Sequence, residues 1–220
     1  MITKTIQLYE YMELGGDAKE KAKQWYLNDP FRSEQLTDDF KESFLKYFFP
    51  DSELDVEWSL NSCQGDGVNI CGTLRLMNIL DYIEKWNSDE HSLYGGAIDP
   101  RGLFTPKEVK KLRFYVGYMH NSTVSMELPR NRRYTYCCAG QAEFAVDLID
   151  DLEYWNLRDI DKKLIERFEK ICIDVIQNLC GEMEDFGYKY LYEVEDEEIQ
   201  EACEANEWYF TTSGKFETAV

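Results

Sequence analysis

Between Leu54 and Leu76 the chain alternates. Leu54, Val56, Trp58 and Leu60 fall on one parity, and Asp55, Glu57, Ser59 and Asn61 on the other. After Cys63-Gln64-Gly65-Asp66-Gly67 the pattern resumes, with Val68, Ile70, Leu74 and Leu76 set against Asn69, Cys71, Thr73 and Arg75. A period of two marks a strand with one buried face. Glycine's access to positive φ suits the connecting loop, so the two runs predict a β-hairpin.

The same alternation predicts a strand over Thr3–Met12, with Ile6 and Leu8 on one face. It recurs at Leu112, Phe114, Val116 and Tyr118 and again at Val124, Met126 and Leu128, which reads as a second hairpin turning at His120-Asn121-Ser122. Arg133–Cys138 reads as one more strand. Helical spacing governs the remainder. Gly15-Gly16-Asp17 supplies a turn and an N-cap for a helix over Ala18–Asn28 that presents Ala22, Trp25 and Tyr26 and ends at Asp29-Pro30. Ser33–Phe48 follows, with Leu36, Phe40, Phe44, Leu45 and Phe48 on its stripe, then Asn78–Trp86. Ser88–Gly102 is broken by Gly95-Gly96 and Asp99-Pro100 and reads as a surface loop. Thr105-Pro106 opens a short helix.

From Gly140 the period is helical throughout. Phe144, Leu148 and Leu152 recur at four-residue steps. Ile160, Leu164, Ile165, Phe168, Ile171, Cys172, Val175, Ile176, Leu179 and Met183 form one stripe, with Gly187 as its expected C-cap. A last helix is expected over Asp196–Asn206. Strands early and helices late predict an α+β fold. Its antiparallel sheet is built from hairpins and packed by amphipathic helices, with a long C-terminal helix. One domain over 1–220 accommodates all of it, with an acidic helical part from about 140.

Charge narrows the function. Forty-three Asp and Glu against 24 Lys and Arg leave a net charge of −19. Nucleic-acid binding needs cations to neutralise phosphates, so direct contact with nucleic acid is not expected, whereas basic surfaces are attracted and their association accelerated. The opening residues lead straight into an alternating run, and no apolar stretch approaches the ~20 residues of a membrane span, so a cytoplasmic protein without a membrane partner is expected. Seven cysteines show no metal-ligand spacing and read as reduced, mostly buried thiols.

Two groups of residues remain for function. The first is acidic. Glu193, Glu195, Asp196, Glu197, Glu198, Glu201, Glu204 and Glu207 run without an intervening Lys or Arg, interleaved with Tyr190, Tyr192, Trp208 and Tyr209, while Asp147, Asp150 and Asp151 gather near Tyr154-Trp155. Either these are solvated faces or they occupy a basic groove on a partner, with rings in place of stacked bases. The second is a polar site in which Gln64, Asp66 and His120 meet at one end of the sheet. The readings preferred to a site are Asp66 as a turn residue capping backbone amides and His120 as a turn histidine bonded locally. No nucleophile with a matching base, no cofactor motif and no calcium-loop spacing is legible, so neither an enzyme nor a metal site is expected. Lys107, Lys110, Lys111, Arg113, Arg130, Arg132 and Arg133 form a small basic group expected to pair with the protein's own acids or with a partner protein.

The run Trp58-Ser59-Leu60-Asn61-Ser62-Cys63-Gln64-Gly65-Asp66-Gly67-Val68, followed by Cys71-Gly72, resembles the SQGDG-type hairpin signature of a large group of small phage- and prophage-encoded proteins. The Asp17–Tyr26 helix, Tyr118-Met119-His120-Asn121, and the tail from Asp196 through Phe210 to Lys215 look like that group as well. Cys63 stands where the group often has serine, and Ile70-Cys71 replaces an aromatic position. The resemblance implies a mobile-element origin and work inside a bacterial host, in a group of unsettled activity where some members are loosely labelled antitoxins. Together with the charge it leads to one expectation, set against two alternative readings. The expectation is an acidic, non-enzymatic counter-defence protein that binds a basic, nucleic-acid-handling surface of a bacterial defence nuclease, as an anti-CRISPR protein does. One alternative is an antitoxin-like regulatory partner of one toxin. The other is an enzyme using Gln64, Asp66 and His120.

Overall fold

The alternation around Leu54–Leu76 folds as the expected hairpin. In the computed structural model, which describes residues 6–61, 65–87, 103–118, 123–126 and 157–218, β1 (Glu53–Ser59) pairs antiparallel with β2 (Gly67–Arg75), Val56 opposite Ile70 and Trp58 opposite Val68. A third strand, β3 (Thr123–Met126), adds to the other edge of β2, so the sheet order is β1-β2-β3. Val56, Leu60, Val68, Ile70, Leu74 and Met126 are buried. The fold is α+β, with antiparallel sheets and a long late helix.

The chain divides into two compact units, Thr37–Phe186 and the two chain ends, Met1–Leu36 with Gly187–Val220. Within Thr37–Phe186 the apolar stripe predicted after Ser33 holds. Phe40, Phe44, Leu45 and Phe48 are buried, although the helix that starts at Pro30 (α2, Pro30–Asp39) passes into a π-helical segment at Phe40–Leu45 before closing as α3 (Lys46–Phe48). Phe40 meets Trp58 edge-on at 6.3 Å, and Phe44 meets Phe186 at 5.4 Å. The next helix, α4 (Leu76–Asn87), follows β2 directly.

The second hairpin is not formed. Pro106–Tyr118 is a helix, α5, and the residues it buries are Val109, Leu112, Tyr115 and Val116, at helical spacing. Phe114 and Tyr118, which completed the alternation, are 50% and 62% exposed. The helix is set by its first turn. Thr105 donates from its backbone N–H and hydroxyl to the Glu108 carboxylate, and the Glu108 N–H donates back to Thr105 Oγ1, a reciprocal capping box with Pro106 at the first helical position. These bonds, the Thr105 N–H first and Arg167 next, hold the Glu108 carboxyl below its usual range. Replacing Thr105 by Ala should cost about 1 kcal/mol, read as a shift of the urea midpoint with unchanged slope.

The predicted apolar stripe of α6 (Asp159–Tyr192) is buried from Leu164 through Met183, and the Cys172 and Cys180 thiols are buried with it. Ile160, at its exposed start, is 69% accessible. Gly187 does not end it, for the helix runs on to Tyr192. The side chain that supports this extension is Arg32, which donates to the Tyr190 carbonyl in the last turn, where helix carbonyls lack intrahelical donors.

In the unit of the chain ends, the strand expected over Thr3–Met12 reduces among described residues to one antiparallel bridge, Tyr9 with Phe210, followed by a 3-10 turn at Tyr11–Glu13. Ile6 is half exposed. The following helix, α1 (Gly16–Leu27), starts earlier than expected, with Gly15 as its N-cap and Asp17 inside the first turn, where a carboxylate suits the helix's positive end. Asp29-Pro30 opens α2 as much as it ends α1, since Asp29 Oδ1 accepts the Phe31 N–H. The last helix, α7, spans Asp196–Ala205, and the tail beyond it folds as a hairpin of β4 (Trp208–Phe210) and β5 (Phe216–Thr218). Trp25 stacks on Phe216 at 4.2 Å and meets Trp208 and Phe210 edge-on.

The strand expected at Arg133–Cys138, the helical turns at Phe144–Leu152 and the Ser88–Gly102 loop lie outside the described residues.

Candidate functional site

Glu193–Glu207 is built around α7. Its buried side is Ile199 and Cys203 with Ala202 packed beside them, and burial pushes the Cys203 thiol up to about 11. The opposite side carries Glu197, Glu201 and Glu204 at intervals of four and three, which places them on one stripe, with Glu198 beside Glu201. Glu193 and Glu195 precede the helix and Glu207 follows it. All seven are exposed, and none is ion-paired with a described residue. Glu204 accepts a hydrogen bond from Gln200.

Asp196 belongs to a different group. Its carboxylate accepts the Tyr11 hydroxyl at 2.8 Å and pairs with Lys19 at 2.7 Å. Lys23 lies 3.8 Å away and donates to the Val194 carbonyl. The Lys19 bond, then that from Tyr11, holds the Asp196 carboxyl below the usual carboxylate range. Burial, with Asp196 alongside, raises the Tyr11 hydroxyl. The carboxylate at the head of α7 is therefore spent on joining that helix to α1 and the Tyr11 turn.

The aromatic residues of this stretch are largely spent as well. Trp208 is half-buried against Trp25 and Tyr26. The Tyr190 ring lies 4.6 Å from the guanidinium of Arg32, which the Tyr26 ring covers at the same distance. Tyr192 is half exposed. Sequence reasoning missed Arg32. It is 4% exposed, and a buried arginine carries no signal in a pattern that places charge outside. Asp147, Asp150 and Asp151 lie outside the described residues.

Of the polar trio, only Asp66 is described, and it is buried. Its Oδ1 accepts from the Ser59 hydroxyl at 3.1 Å and its Oδ2 from the Asn61 N–H at 2.5 Å, the geometry of a side chain closing the β1–β2 turn. Gln64 and His120 lie outside the described residues. Thr123, the first residue of β3, pairs with Arg75 at the end of β2 remote from Gly67.

Two of the four cations of α5 are consumed locally. Arg113 bonds Asp81 at 2.5 Å and also Glu84, Lys111 pairs with Asp161, and Arg167 reaches back to Glu108 at 2.6 Å. Lys107 and Lys110 stay exposed. Among the described residues, no three His, Cys, Asp or Glu side chains are placed to hold a metal ion, and no helix is long and apolar enough to cross a membrane. No family model, curated protein or solved structure matches the chain.

Proposed function

We propose that this is a phage-encoded, non-enzymatic counter-defence protein that acts in the bacterial cytoplasm. It lays the acidic face of α7 on the basic, nucleic-acid-handling surface of a defence nuclease, in the manner of an anti-CRISPR inhibitor. The observation that carries this reading is the display of Glu193, Glu195, Glu197, Glu198, Glu201, Glu204 and Glu207 without cations among the described residues.

Two of these residues stand where folding alone favours another residue. Glu201 lies four residues from Glu197 and three from both Glu198 and Glu204, spacings at which like charges repel. Glu207 holds φ at 56°, a left-handed conformation that a glycine adopts without steric cost. Carboxylates kept at such positions suit a surface selected for binding.

The test separates stability from binding. Glu201→Lys relieves repulsion and should stabilise the fold by about 0.5 kcal/mol. The same substitution, combined with Glu197→Lys and Glu198→Lys, should abolish capture of a host protein that the wild-type chain retains at low salt and releases as salt rises. Capture that survives both high salt and charge reversal overturns the proposal. A small co-encoded partner in place of a large nuclease turns the reading toward an antitoxin.

A further inference from the structure

The unit of the chain ends has a hydrophobic cluster of its own. Tyr11, Leu14, Ala22 and Tyr26 pack with Val194, Ile199, Cys203 and Phe210, and among the described residues no member comes from Thr37–Phe186. The polar links keep the same membership. Tyr11 donates to Asp196, the Met12 N–H to Gln200 at 3.0 Å, and Lys23 to Val194. Gly214 sits so close to α1 that a Cβ there would lie 2.0 Å from the Ala18 carbonyl oxygen, so the β4–β5 turn is fitted to that helix. Each of these links joins one end of the chain to the other.

A cluster that shares no member with the remaining core can be exposed while that core stays closed. A unit of this size also lies where a single core is marginal. Nor can α7 persist alone, because an isolated helix of ten residues is not stable in water, and its aligned carboxylates oppose it further.

We infer that the Tyr11 turn, α1, α7 and the β4–β5 hairpin open and close as one cooperative unit, independently of the core of Thr37–Phe186, so that the N-terminal segment switches the acidic face of α7 on and off. Tyr11 is the pin. Its ring is fully buried and meets Phe210 edge-on at 6.4 Å, while its hydroxyl holds the head of α7. The consequence for partner binding rests on the function proposed above; the opening itself does not.

Native-state hydrogen exchange on the full chain tests it without a partner. Tyr11→Phe keeps the ring and deletes the bond to Asp196, and should speed exchange of the Ile199–Ala205 and Trp208–Phe210 amides about tenfold, leaving the amides of 171–180 unchanged. Val175→Ala, in the buried stripe of α6, should do the reverse, speeding 171–180 and sparing α7. Unchanged protection of α7 in Tyr11→Phe, or both regions accelerating together in either variant, overturns the inference. Should α7 loosen in Tyr11→Phe while host-protein capture is unaffected, the cooperative opening stands and its link to an acidic-face function falls.

Discussion

Gly72→Ala should destabilise the protein by about 3 kcal/mol or more. Gly72 lies in the central strand, opposite Leu54 on one side and Met126 on the other, with φ at +109°. A side chain there is strained by the backbone before any neighbour is considered. The neighbour is also fixed. A Cβ would lie 2.3 Å from the Glu53 carbonyl oxygen and 3.2 Å from Leu54 Cα, and backbone atoms in a paired strand have no rotamer into which to withdraw. Relief requires β1 and β2 to part where Val56, Leu60, Val68 and Ile70 are buried. Gly117→Ala is the control. It lies in α5, and its added methyl would meet only Met77 Cε at 3.8 Å, so it should stabilise by about 0.5 kcal/mol through helix propensity. Urea midpoints moving in opposite directions for the two alanines bear this out, whereas a neutral Gly72→Ala contradicts the strand geometry.

The Gly72 strand was legible because its signal is local. Period-two patterning depends on one face being drier than the other, and β1 alternates in this way, whereas β2 is buried on both faces from Gly67 to Ile70 and keeps only the apolar parity of Val68, Ile70 and Leu74. The same rule failed at Leu112–Tyr118, where two exposed aromatic residues of a helix fell by chance on the parity of two buried ones. The capping chemistry of Thr105, Pro106 and Glu108 was the better guide, since it acts through specific backbone hydrogen bonds where hydrophobicity alone is ambiguous. Thr3–Met12 failed for another reason. Its partner, Phe210, lies 201 residues from Tyr9, and no local pattern carries such a pairing.

The acidic stretch was legible as charge but not as roles. Composition gives eight carboxylates from Glu193 to Glu207 equal standing. The fold removes Asp196 from the displayed set because two lysines and a tyrosine of the N-terminal segment converge on it. It removes Trp208 because the hairpin needs an apolar face against Trp25. Burial and pairing across the whole length of the chain decide those assignments.

The second large effect is expected at the start of α6, and its sign depends on which partner is removed. Asp161, 5% exposed, is bonded by Lys111 from α5 and by Arg158 at 3.1 Å. Burial pushes its carboxyl up, but the Lys111 and Arg158 bonds outweigh this and leave it below the usual carboxylate range. Lys111 is 33% exposed and Arg158 75%, so water can serve either cation and cannot readily serve the carboxylate. Lys111→Met should therefore cost about 3 kcal/mol, by leaving a buried charge with one exposed cation and the Tyr115 hydroxyl. Asp161→Asn removes the charge that needs pairing, and should cost only about 1–2 kcal/mol. The pH profile gives the sign a second check. A carboxyl lowered by folding contributes stability that is complete above its unfolded value and fades as pH falls through the folded one. In Lys111→Met the folded carboxyl rises, so the acid limb of the stability curve should move to higher pH. In Asp161→Asn this contribution to the acid limb should vanish. If the lysine proves cheaper to replace than the aspartate, or the acid limb stays in place in Lys111→Met, then the pair does not hold α5 to α6 in the way the geometry requires.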